Sequence, residues 1–203
     1  MIEKLTSEQE ALIPVYCDKW RKIALSSKRI DRHKAAEALN DAYTYIGLDE
    51  PKIICCDSPY AALNHPYHQI REQLCTELWV DIHTQINNQV DAKLLTKLLN
   101  QTSSQLETQL NFIASQLDRQ LDKEFDTELV LNCLKPELLA CYGSTFDFCI
   151  SVLHCNHNQR EWLIYQSLAK FCGWILFYKK TCIVCDRPLH LLFDNQNRLH
   201  ALM

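Results

Sequence analysis

A chain of 203 residues with 47% hydrophobic content can bury a sizeable core as a single domain, which excludes a disordered polypeptide. Lys+Arg 21 against Asp+Glu 25 leave a net charge of −4, so no general attraction to a phosphate backbone exists and nucleic acid is not an expected partner. The segment Met1 to Glu10 lacks the apolar core of a signal peptide, and the longest apolar run, Phe171 to Tyr178, is too short to span a bilayer, so the expectation is a cytoplasmic protein with no membrane contact.

In that compartment the eleven cysteines stay reduced, and most of them should serve as small buried hydrophobes. Three glycines in the whole chain leave no glycine-rich phosphate loop, which excludes P-loop and dinucleotide-binding folds, and no cofactor is expected.

In chain order, Ser7 and Glu10 have capping-box spacing ahead of a first helix that should run to about Leu25 with Trp20 on its apolar face. Asp31 is placed to cap a second helix, which Gly47 ends in the left-handed conformation. Residues Lys52 to Asp57, bounded by Pro51 and Pro59, predict a short strand buried on both faces, and Ser58-Pro59 opens another helix. From Ile70 to Cys133 apolar residues recur at every fourth place, among them Ile82, Ile86, Val90, Leu94 and Leu98. A strict four-residue step drifts about 40° per turn round an α-helix, so one straight helix cannot bury that stripe. A break is expected over Asn100 to Ser104, where small polar residues compete for backbone hydrogen bonds, leaving two long helices.

Pro136 starts a further helix that Gly143 should end, Phe146 to Leu153 mark another short one, and Trp162 to Cys172 a third, stopped by Gly173. Thr181 to Cys185 predict a second strand. Leu189 to Phe193 and Arg198 to Leu202 flank a turn and predict a hairpin. The fold class is α+β, mainly α-helical, with long central helices on a small mixed sheet built from residues near 52–57 and 181–202. One domain is expected over 1–203, divided into an N-terminal helical part (1–50), a strand and central ladder (51–134) and C-terminal helices with the hairpin (135–203).

The segments Trp20-Arg21 with Ala24-Leu25-Ser26, Asp31-Arg32 with Ala35-Ala36, Cys56-Asp57-Ser58-Pro59 running on to Leu63, Cys172-Gly173-Trp174, Cys182 to Pro188, and Asp194 to His200 resemble a bacterial family of unknown function that is frequent in cyanobacteria. Its members often carry a central Leu-x-x-Gln-Leu tract like the ladder here, and usually continue past the Arg-Leu-His segment into further strand-like sequence. The resemblance implies a bacterial, cytosolic origin and no particular activity.

Chemistry concentrates in two places. Cys182 and Cys185 have zinc-knuckle spacing, with His154, Cys155 and His157 upstream as further ligands. Residues three apart in a strand point to opposite faces, however, so the expectation is no metal and two core thiols. His65 and His68 would share a helical face, but a lone pair lacks further ligands. The second place is the repeated Cys-Asp-x-Pro at Cys56 to Pro59 and Cys185 to Pro188. Polar residues just past the ends of parallel strands are where ligands usually sit, so Asp57, Ser58, Asp186 and Arg187 are candidate ligand-binding residues. The plainer reading is that Asp and Pro break strands. The two strands should lie in one sheet, bringing Asp57 within reach of Arg187.

Two functions follow: a non-catalytic helical scaffold or protein-interaction module, with a protein partner or homodimer, or an enzyme or small-ligand binder in which arginine clamps an anionic or polar substrate.

Overall fold

The computed structural model describes residues 1–66, 80–104, 106 and 133–188, and the backbone of 192–193 and 199–200. The fold class is the expected one, helices packed on a small mixed sheet. In chain order the elements are α1 (Ser7–Ala24), α2 (Arg32–Tyr45), β1 (Lys52–Cys56), α3 (Pro59–Leu63), α4 (Val80–Asn87), α5 (92–104), α6 (Pro136–Ser151), α7 (Gln159–Phe171), β2 (Ile175–Tyr178), β3 (Thr181–Cys185), β4 (Leu192–Phe193) and β5 (Leu199–His200). No helix among the described residues is long and apolar enough to cross a membrane.

β3 is the central strand, parallel to β1 and antiparallel to β2. All of its residues are buried, whereas β1, at the edge, is exposed at Lys52 and only half-buried beyond it. Alternation sorts the side chains: Ile53, Cys55, Phe177, Cys182 and Val184 face the main helical core, and Ile54, Leu176, Ile183 and Cys185 face a smaller cluster with Ala62, Leu63 and Cys133. The sheet is therefore covered on both faces. Two strand expectations change. The third strand is Ile175–Tyr178, and the 192–200 hairpin pairs with itself instead of extending the sheet.

The described rungs of the ladder, Ile82, Ile86, Val90, Leu94, Leu98 and Leu106, are all buried, while Ile70 to Leu78 and Leu110 to Leu129 lie outside the described residues. The drift of the stripe is corrected at 88–91, not at 100–104. There Ile2 donates to Gln89 O and Asp91 donates to Ile2 O, so the backbone of Ile2 pins the break. Asp91 then caps α5, its Oδ1 accepting from the amides of Lys93 and Leu94. The small polar residues do not break the helix because Thr102 donates back to Leu98 O and meets the Thr145 hydroxyl at 2.8 Å.

Local signals at other helix ends hold. Asp31 accepts from the amides of His33 and Lys34, Ser58 accepts from Ala61, and Gly47 has φ 77. The capping box of α1 sits one residue earlier than expected, on Thr6 and Gln9. α1 lies along α6, where the buried Asp147 accepts from Trp20 Nε1 at 2.9 Å, Lys19 Nζ at 2.5 Å and Ser151 Oγ at 3.1 Å. Tyr43 docks α2 on the sheet through its hydroxyl, 2.6 Å from Tyr178 O and 3.0 Å from Thr181 O.

Gly143 does not end its helix, and α6 runs unbroken to Ser151. The glycine is there because a Cβ would stand 2.5 Å from the Trp20 ring. Gly143→Ala should therefore destabilise by about 1–3 kcal/mol through overpacking, outweighing the helix-propensity gain of about 1 kcal/mol. A lower urea midpoint at unchanged slope would show it, and an unchanged or higher midpoint would count against it.

Glu161, in the first turn of α7, is buried. Burial, helped by the charge of Asp81, raises its carboxyl to about 7, against the opposing pull of the Ile82 and Asp81 amides and the Tyr45 hydroxyl. Between the ordinary 4.5 and about 7 the folded chain holds a proton that the unfolded chain has released, so stability falls as pH rises through that window and the loss is complete above it. Glu161→Gln should flatten that part of the pH–stability profile, by an amount on the order of 2–3 kcal/mol. Profiles of equal slope for the two proteins would contradict the assignment.

Candidate functional site

The two Cys-Asp-x-Pro ends are neighbours, as expected. Cys56 is the register partner of Cys185, and Asp186 N–H donates to Cys56 O at 2.8 Å. Beyond that point the side chains diverge. Asp57 is 79% exposed and stands 4.0 Å from both Arg29 and Arg32. Ser58 is occupied as the cap of α3. Asp186 is half-buried and ties down the α1–α2 loop: Oδ1 accepts from Ile30 N–H at 2.9 Å and Oδ2 lies 3.1 Å from Arg29 Nε.

Arg187 turns inward, so the expected Asp57–Arg187 pair is replaced by a different contact. Its Nη1 donates to Ile23 O at 2.9 Å. Its Nη2 donates to Ala169 O at 2.7 Å and to Lys170 O and Cys172 O at 3.1 Å, and Nε reaches Cys172 O at 3.2 Å. Carbonyls in the last turn of a helix have no intrahelical partner and carry the negative end of the dipole, so a guanidinium there is both bonded and electrostatically favoured. Burial lowers the Arg187 pKa, but an arginine keeps its charge at neutral pH. Its fork is filled by backbone oxygens and does not clamp a substrate.

Gly173 makes this approach possible, since a Cβ there would meet Cys185 O at 2.4 Å. α7 ends at Phe171, one residue earlier than expected, because Cys172 is already extended, so Gly173 is not the residue that stops it.

The metal alternative does not assemble. Cys182 faces the main core and Cys185 the smaller cluster, while His154 and His157 lie in the turn between α6 and α7. Among the described residues no group of three His, Cys, Asp or Glu side chains stands close enough to hold a metal ion. Cys149 and Cys155 are near neighbours, and the Cys149 thiol lowers the pKa of Cys155. His65 follows the end of α3, and His68 lies outside the described residues.

The residues that sequence reading missed are lysines. Between the C-terminal ends of α1 and α7, the α1–α2 loop and the first turn of α2 lies a cleft of about 330 Å³, with Arg187 in its wall. Lys22, Lys28, Arg29, Lys34 and Lys170 line it, and the acid among its lining residues is Asp31. Asp31 is engaged with α2 amides and stands 3.8 Å from Lys34. Lys22, Lys28 and Lys170 meet no carboxylate within 4.0 Å among the described residues. Phe171 supplies an apolar wall, with the Lys34 and Lys170 ammoniums 5.5 and 5.2 Å from its ring centre.

Lys22 and Lys170 complement helix C-termini, which is an ordinary place for lysine. Arg32, His33 and Lys34 do the opposite, because the first turn of α2 holds three basic residues and no acid where the dipole favours acids. A signal existed in that reversed turn, but the other lysines are scattered in sequence and meet only in the fold.

Compared with family models, curated proteins and solved structures, the chain matches none.

Arg187→Lys keeps a charge but cannot serve the same set of carbonyls, so it should cost at least about 2 kcal/mol, and Arg187→Ala more. Urea unfolding measures both, and a lysine variant as stable as the parent would refute the capping role.

Proposed function

We propose that the protein is a non-catalytic binding module whose ligand carries a phosphate or similar compact anion, held in the cleft at the ends of α1 and α7. The observation that carries this reading is the convergence of Lys22, Lys28 and Lys170 on one cleft without carboxylate partners among the described residues, in a chain of net charge −4. Several ammoniums around one concavity repel each other until an anion occupies it, and the α2 N-terminus adds a field of the same sign, while the opposing field of the α1 and α7 C-termini is met by Arg187 on their last carbonyls. A dianionic phosphate answers several lysines at once.

Binding is favoured over catalysis because the nearby groups able to move protons are committed elsewhere. Asp186 accepts from the Ile30 and Arg187 amides, Asp31 from those of His33 and Lys34, and Ser26 from that of Lys28. The reading keeps the anionic ligand expected from the strand ends but moves it from Asp57, Ser58 and Arg187 onto the lysines. We place any protein partner or second copy elsewhere, at the face of α1 where Leu12 and Val15, three residues apart, expose 40% and 58% of their surface.

Calorimetric titration with inorganic pyrophosphate at low salt tests the site. Binding in the millimolar range or tighter is expected, weakening with salt. Replacing Lys28 and Lys170 together by glutamate should reduce affinity by at least about tenfold, which is about 1.4 kcal/mol. No binding by the parent, or equal binding by the variant, would refute the assignment.

A further inference from the structure

The basic cleft does not end at Phe171. A second depression, of about 380 Å³, runs between α1 and α7 and shares Ile23, Lys170 and Phe171 with the first. Its surface is largely apolar: Leu163 is 54% exposed into solvent, Ile23, Phe171 and Trp20 add to the wall, and Lys19, paired with Asp147, stands at its side. A lone apolar groove would suit any greasy group. This one also contains Gln166 and Ser167, whose side chains make no hydrogen bond within the described structure. An apolar wall with an uncommitted amide and hydroxyl fits a flat ring with donors and acceptors on its edge better than it fits an alkyl chain. The junction of the two depressions at Lys170 and Phe171 sets the anionic part of a ligand beside its ring.

Resting on the anion-binding reading, we propose that cleft and groove form one site for a mononucleotide, with phosphate among Lys22, Lys28 and Lys170 and the base in the groove against Phe171 and Leu163, its edge addressed by Gln166 and Ser167. Each depression lies near the lower limit of size for a small-molecule pocket, so a ligand that fills both is held better than one that fills either. Specificity comes from the groove and charge recognition from the cleft.

Calorimetry on the full chain with four probes decides the matter: pyrophosphate, ribose phosphate, adenosine monophosphate and octyl phosphate. The nucleotide should bind about 5- to 150-fold more tightly than ribose phosphate, the range expected for stacking one base on an aromatic wall. Leu163→Ala and Gln166→Ala, both at the surface of α7, should remove most of that gain and leave ribose phosphate affinity unchanged. Equal affinities for the nucleotide and ribose phosphate, or an octyl phosphate gain as large as the nucleotide's, would overturn the proposal while leaving the anion site standing. Failure of pyrophosphate and nucleotide alike would overturn both.

Discussion

The guanidinium of Arg187 gathers carbonyls from the last turns of two helices, Ile23 of α1 and Ala169 and Lys170 of α7, while its own backbone continues the central strand. One buried cation thereby joins the sheet to the two helices that flank the cleft. Its charge is met at hydrogen-bond distance by oriented peptide dipoles, with the Glu137 carboxylate adding a weaker charge effect, so the arrangement needs several carbonyls aimed at one point. The rest follows from that requirement. α1 and α7 must end beside each other, and Gly173 must lack a side chain so that Cys185 O can come close.

The preceding residue does the matching work on the loop. Asp186 holds Ile30 and Arg29, so the connection between α1 and α2 folds back over the strand end and not into solvent. Asp186 thus fixes the loop that walls the cleft, and Arg187 lines that cleft with a guanidinium already bonded to carbonyls. Positive charge is left over because the helix ends and the loop all carry lysines, while the acids in the neighbourhood, Asp31, Asp57 and Asp186, stand beside Lys34, Arg29 and Arg32 and leave Lys22, Lys28 and Lys170 unmatched. The cleft can be strongly basic although the whole chain is acidic, since net charge says nothing about where charges meet.

Much of the fold could be read from the sequence where one residue type has one local consequence. Asp31 and Ser58 as caps, Gly47 past a helix end, and the two β-branched runs that become β1 and β3 are of that kind. Misreadings arose where tertiary contacts reversed a local preference. Gly143 looked like a stop but leaves room for Trp20, and the polar run to Ser104 looked like a break but bonds back to its own helix. Ile175 to Tyr178 is buried on both faces and shows no alternation, so in sequence it merges with the apolar run that starts at Phe171. The candidate site was legible only in part. The strand ends were placed correctly together, yet the direction of Arg187 depends on carbonyls from elements more than a hundred residues apart in the chain, and no spacing rule reports that.

The central claim is that the Asp186–Arg187 turn builds an anion-binding cleft whose working residues are the lysines around it. Anomalous diffraction from crystals soaked in tungstate, a compact dianion with strong scattering, locates the site directly. The account predicts a peak among the ammonium groups of Lys22, Lys28 and Lys170, with Arg187 still bonded to its carbonyls. A peak elsewhere with this cleft empty, or an anion seated on the Arg187 guanidinium in place of those carbonyls, would contradict it.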